Sequence, residues 1–249
     1  MTKKRLGTPI IYLKSTTSTQ DVVIDTALKG APEGYTVVAE QLERARGRMG
    51  RSFYTANGGL YFSLLLRPQL KASKLTTLPL ALGVAVAKSV EDEGLKCALK
   101  WPNDCLVNHK KIGGVLVESA ILGEDLLYAV AGVGLNVNIP IENIPEWLKV
   151  EATTLQHELG RSVDLSSLLD RIISYFEELY DDLQINGPSL TLEEWLKRDI
   201  LIGRSITIEY LGMPFRVIVK GLSENGLLQV ESNKGSMTLN SAEVTIKSW

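Results

Sequence analysis

The sequence predicts an α+β fold, a mixed β-sheet with helices over residues 1–202, followed by a small C-terminal β-barrel over residues 203–249. Three observations carry this. Apolar runs of strand length at 35–39, 60–66 and 126–139 alternate with longer stretches of another texture. Two of those stretches, 75–93 and 164–185, place apolar residues at helical spacing. From Ser205 onward the chain changes to short alternating segments separated by turn residues.

Taken in order, 9–13 reads as a strand, and Ser18-Thr19-Gln20-Asp21 opens a helix that Gly30 closes. Ser18 stands three residues ahead of Asp21, much as in a capping box, and its hydroxyl is expected to cap the helix. The run 60–66 is apolar enough for both faces to be covered, and Pro68 ends it. Leu75, Leu78, Leu82, Ala85, Val86 and Val90 share one helical face, with Gly94 as the stop. A strand leads into Trp101-Pro102, so Asn103-Asp104 sits on a turn or strand entry. Strands at 105–107 and 112–117 flank Asn108-His109-Lys110-Lys111, a hairpin whose tip delivers Lys111, and Gly113-Gly114 then leaves room for a ligand against the strand. Gly132 and Gly134 interrupt the run 126–139 just before Asn136. The helix 164–185 has Asp164 as its cap, and a short helix carrying Trp195 follows. Strands at 205–210, 213–220, 227–231, 236–239 and 244–246, with turns at Leu211-Gly212, Asn225-Gly226 and Lys234-Gly235, make the barrel, and Ile202-Gly203 marks the boundary.

The chemistry gathers on Arg44-Ala45-Arg46-Gly47-Arg48-Met49-Gly50-Arg51. Four arginines in eight residues repel one another and resist burial, so the loop calls for an anion that the glycines let the backbone approach. By itself it equally suits a solvated loop tip. The formal net charge of −2 argues against life on nucleic acid and favours a small anionic ligand. Cys97 and Cys105 lack metal spacing and read as buried free thiols in a cytosolic protein. His109 and His157 have no second ligand at metal or triad spacing and are expected at the surface. The basic start is followed by no apolar signal core, and no run is long enough to span a bilayer, so neither export nor a membrane anchor is expected. Hydrolase, Walker and Rossmann fingerprints are missing from the sequence.

Three further stretches follow the loop in order: Lys100-Trp101-Pro102-Asn103-Asp104, Lys111-Ile112-Gly113-Gly114-Val115-Leu116-Val117-Glu118, and Gly132-Val133-Gly134-Leu135-Asn136. With Ser18-Thr19 upstream, the whole series resembles the biotin protein ligases over nearly the full chain. The resemblance implies a class II synthetase-like catalytic domain, shared with lipoate ligases, and an SH3-like C-terminal barrel. It implies that ATP and Mg²⁺ activate biotin to biotinyl-5′-AMP, and that a lysine on the biotin carboxyl carrier protein or domain of a carboxylase receives the biotinyl group. By the same resemblance Arg46, Arg48 and Lys111 are catalytic. Ser18, Thr19, Gln20, Gly47 and Gly114 join them in binding biotin, with the two hydroxyls on its ureido head. Arg51, Asn103 and Asn136 join them in binding ATP, and Asp104 is the expected Mg²⁺ ligand. The arginine loop would close over the adenylate, mobile when free and ordered by ligand.

The chain departs from the family pattern at Leu42, where relatives carry a glutamine that reaches biotin, and at Ala45, where they carry glycine. Gln41 could replace the lost amide if the strand slipped by one residue. Met49 and Phe53 are milder changes. Only seventeen residues precede Ser18, so a ligase-only form without a DNA-binding domain is expected. Relatives pair sheet edges as homodimers, with which the run 60–66 is compatible. Two rival readings stand: an enzyme activating lipoate or octanoate, which Leu42 would suit, and a non-catalytic ligand- or nucleic-acid-binding module.

Overall fold

The computed structural model describes residues 5–123, 125–210, 212–233, 235–242 and 244–249. Residues 1–4, Glu124, Leu211, Lys234 and Glu243 lie outside the described residues, and with them the basic start and half of two expected turns.

The first part of the chain runs β1 (Ile10–Thr16), α1 (Thr19–Leu28), β2 (Thr36–Leu42), β3 (Leu60–Leu66), α2 (Leu78–Glu91), β4 (Ala98–Lys100), β5 (Asp104–Val107), β6 (Lys110–Leu122) and β7 (Asp125–Leu135). Four helices follow: α3 (Glu146–Lys149), α4 (Leu155–Leu159), α5 (Leu165–Asn186) and α6 (Ser189–Leu196). Then come β8 (Ser205–Tyr210), β9 (Met213–Leu222), β10 (Leu228–Ser232), β11 (Gly235–Leu239) and β12 (Val244–Ser248). The sheet order is β1-β2-β3-β7-β6-β5-β4, with β1–β2 parallel and the other pairs antiparallel. The last five strands form a second, antiparallel sheet in the order β11-β10-β9-β8-β12.

Alternation along the strands sets the layers. Val38, Phe62, Leu64 and Leu66 face a core shared with α2 and α5, while Val37, Leu65 and Val130 face Val23 and Ala27 of α1 on the other side. Asp164 caps α5 as expected, its carboxylate accepting from the Ser167 amide at 2.7 Å. The helix expected from Leu75 is regular only from Leu78, after a 3₁₀ segment at Ala72–Thr77. Nor is α2 one-sided: it is buried nearly all round, between the sheet and α5 and α6. Gly83 makes this packing fit, since a Cβ there would stand 2.9 Å from the Trp195 ring.

The hairpin between β5 and β6 turns on Asn108 and His109, both at positive φ, so Lys111 lies within β6 opposite Leu106 rather than at the tip. Cys97 and Cys105 are buried free thiols, and His109 and His157 are exposed, as expected. β3 is fully buried between β2 and β7, so it offers no edge for another copy of the chain. Among the described residues no helix is long and apolar enough to cross a membrane.

Candidate active site

A cavity of about 240 Å³ opens over the middle of the large sheet. Two adjacent rows of its floor are set by register. One row is Ser63–Gly132–Leu116, and two residues along is Tyr61–Gly134–Gly114. β7 contributes glycine to both rows for steric reasons. A Cβ on Gly132 would stand 2.7 Å from Gln20 Oε1, and one on Gly134 3.0 Å from the Phe53 ring.

The start of α1 supplies the side chains of the first row. Thr19 Oγ1 and Ser63 Oγ share a hydrogen bond of 2.8 Å. Gln20 Nε2 donates to Glu118 Oε2 at 3.0 Å and to the Val130 carbonyl at 3.3 Å. Both partners accept, so the amide orientation is chemically determined, and Oε1 is left buried without a hydrogen-bond partner. Ser18 occupies the N-cap position with extended backbone, but its side chain makes no capping hydrogen bond. The capping-box expectation therefore fails, and the buried hydroxyl lines the cavity instead.

The cations belong to the second row and the loop beside it. Lys111 Nζ meets Asp104 Oδ1, and Lys100 Nζ lies 3.2 Å from Asp104 Oδ2. Burial pushes the Asp104 carboxyl up, yet the two lysines outweigh it and hold the group below its ordinary value. Gly114 faces this cluster, and Asn103 hydrogen-bonds to the Val115 backbone. Gly113 does not make room for a ligand, because β7 occupies that space: a Cβ there would stand 2.2 Å from the Gly134 carbonyl.

The arginine loop is folded back on a bridge between Arg46 and Ser52, with Met49 at positive φ. Arg46 pairs with Asp21, Arg48 donates to the Ser241 carbonyl, and Arg51 donates to Thr245 Oγ1 at 2.7 Å. The second sheet thus walls the cavity through Val244, Thr245 and Ile246. Burial lowers the Arg48 guanidinium from its ordinary value, with Asp104 pulling the other way.

Ser18, Thr19, Gln20, Arg46, Gly47, Arg48, Arg51, Asn103, Asp104, Lys111 and Gly114 all line this one cavity. Asn136 is not among its lining residues. It is buried behind β6, donating to the Thr153 carbonyl at 3.2 Å, with Oδ1 lacking a partner. Leu42 does line the cavity, and β2 has not slipped, since Leu42 pairs with Thr16 and Gln41 with Ser15. Gln41 is exposed and held by Asn57, so it cannot supply the missing amide. Sequence reasoning missed Ser63, Lys100, Ser241 and Thr245. Lys100 carried a signal in its spacing of four from Asp104, whereas Ser63 and Thr245 come from distant strands and Ser241 from the segment between β11 and β12, and these carried none.

Asp104 is a poor fit to a metal. Both its oxygens face ammonium groups, and among the described residues no group of three or more His, Cys, Asp or Glu is placed to hold an ion.

A pocket of mixed polar and apolar lining, floored by one row of the sheet and bordered by Lys100, Lys111 and the loop arginines, has the chemistry of a site for an anionic organic ligand. The chain belongs to the biotin/lipoate A/B protein ligase family, whose description matches residues 12–136, and the biotin protein ligase C-terminal domain matches residues 201–247. It is 32% identical to the bifunctional ligase/repressor BirA of Bacillus subtilis over 97% of this chain and 75% of that protein. The biotin–[acetyl-CoA-carboxylase] ligase of Paracoccus denitrificans is 28% identical over 84% of this chain and 88% of its own. Among solved structures, the biotin protein ligase of Aquifex aeolicus in complex with biotin and ATP superposes with a TM-score of 0.82 at 29% identity, covering 97% of this chain and all of that one.

Proposed function

We propose that the protein activates biotin with ATP to biotinyl-5′-AMP and transfers the biotinyl group to a lysine of a carboxylase's biotin carboxyl carrier domain. The observation that carries the choice of acid is Gln20. Its nitrogen is committed to Glu118 and Val130, so it offers the cavity a buried acceptor, and a ligand that leaves it unpaired loses affinity. The ureido N–H groups of biotin are donors, whereas the dithiolane of lipoate and the chain of octanoate have none to give. Ser18 and Thr19 stand beside it as further polar contacts for the head group.

A carboxylate oxygen attacking the α-phosphorus, with pyrophosphate leaving, is an anion meeting an anion, so the enzyme's task is charge neutralisation and alignment. Arg46, Arg48 and Lys111 supply the charge, with Arg51 toward the triphosphate. The pairing of Arg46 with Asp21 gives way to the ligand carboxylate when it arrives. Gly47 and Gly114 let the ligand approach the backbone, and Asn103 keeps its nucleotide role. Asn136 is the weaker nucleotide candidate, favoured by its unpartnered Oδ1 alone. Magnesium enters on the ATP phosphates, and Asp104 acts by orienting Lys111 rather than by ligating the metal. In the second step the acceptor amine attacks the acyl carbon, loses a proton and displaces AMP.

Division of labour follows the two sheets: residues 1–202 carry the chemistry and the 203–249 barrel shields the anhydride from water. Operator DNA has no part in this reading, and the cytoplasm is the setting. A second copy would pair at β1, the open sheet edge where Tyr12 is exposed.

The test is mass spectrometry of products after incubation with ATP, Mg²⁺ and an equal mixture of biotin, lipoate and octanoate. Biotinyl-AMP alone is expected. Lipoyl- or octanoyl-AMP would overturn the choice of acid, and no adenylate at all would favour a binding module.

A further inference from the structure

Lys100 is a cavity-lining cation with no role so far, and its surroundings explain why it stays in place. A lysine chain has four rotatable bonds and ordinarily extends into water. Here two groups select its position. Asp104 Oδ2 is 3.2 Å from Nζ, and the ring centroid of Trp249, just beyond β12, is 5.4 Å away. The same indole lies 5.5 Å from the Arg204 guanidinium at the entrance to β8 and 6.2 Å from the His109 ring at the β5–β6 turn. It is half-buried against the main core. One aromatic ring therefore joins the adjoining strands β8 and β12 of the second sheet to Lys100 of β4 and to the β5–β6 turn.

We propose that Trp249 is a positioning residue for adenylation: its indole holds the Lys100 ammonium on Asp104, and Lys100 thereby adds a phosphate-binding cation to the side of the cavity that carries Lys111. This rests on the function proposed above. Its physical content is that Asp104 is shared by two lysines only while the second sheet is docked. Undocking removes the ring, frees Lys100 and leaves Asp104 to Lys111 alone. The ATP site is thus complete only when the wall that excludes water is in place.

The test is a Trp249 series, Tyr, Phe and Leu, read as KM for ATP and kcat for pyrophosphate release at saturating biotin, with a melting curve for each variant. Leucine keeps an apolar side chain without a π face, so Trp249→Leu is expected to raise KM for ATP roughly two- to fivefold. Phenylalanine and tyrosine should fall between leucine and wild type, and kcat should change less than KM. Adding Trp249→Leu to Lys100→Met should raise KM no further. Equal values for Phe and Leu, a wild-type KM in Trp249→Leu, or additive effects in the double variant would each overturn the proposal. Trp249→Phe retains the ring if the leucine variant fails to fold. Wild-type protein that forms no adenylate in the same assay would instead sink the underlying function.

Discussion

Gln20 is buried and Asp104 part-buried, and in each case the hydrogen-bond and ionic partners decide the chemistry of the group. Gln20→Met keeps the length of the side chain and removes the free acceptor. It is expected to raise the Kd for biotin roughly tenfold and leave that for ATP within a factor of about two, as measured by calorimetric titration. An unchanged biotin affinity would mean that Oε1 does not face the ligand. At Asp104 the sign follows from its depressed carboxyl. A group whose folded value lies below its unfolded value of about 4 contributes stability that is fully present above about pH 4 and is lost as pH falls through the folded value. Asp104→Asn should therefore flatten the acid limb of a melting-temperature profile below about pH 4, whereas a profile parallel to wild type would deny Asp104 that part.

At the scale of elements, β6 and β7 meet so closely that one glycine separates a stable pair from a strained one. A Cβ on Gly113 would press on a backbone carbonyl that cannot swing aside, unlike the contact at Gly132, where the obstacle is the end of a side chain. Gly113→Ala is expected to lower stability by about 1–3 kcal/mol in urea unfolding, and no shift in midpoint would show that the strands can part. α2 reflects the same demand for close approach. Being covered on all sides, it needs Gly83 where Trp195 of α6 crosses it, and its apolar residues are not confined to one stripe.

For the whole molecule, the contacts of Arg48 with Ser241 and Arg51 with Thr245 tie the basic loop to the second sheet. Under the proposed function, ligand anions held by these arginines would strengthen that closure by neutralising like charges on the loop. Trypsin cleavage at Arg44, Arg46, Arg48 and Arg51 is therefore expected to slow by about tenfold or more in biotin plus ATP at 100 times their Kd, by simple linkage. Equal cleavage rates with and without ligand would rule out ligand-dependent closure.

Much of the fold was legible because it rests on local rules. A continuous apolar run marks β3 and helical spacing marks α5, Asp164 announces a helix start, and glycine-bearing turns punctuate the strands of the second sheet. The motif order pointed to the family, and all but one of the expected site residues share a cavity. Asn136 lies outside that set because the geometry beyond the end of β7 buries its side chain, which residue type could not reveal. Pairing across the chain decided the rest. Register kept Leu42 in the cavity and Gln41 on the surface, and strand order placed β3 inside the sheet rather than at its edge. The fold also put two lysines on Asp104 where a metal was expected, and brought Ser241, Thr245 and Trp249 to a site defined by residues far earlier in the chain. The physical reason is common to all of these. Local propensity depends on a few neighbouring residues, whereas burial, charge state and the closing of a pocket depend on groups that only long-range packing brings within reach.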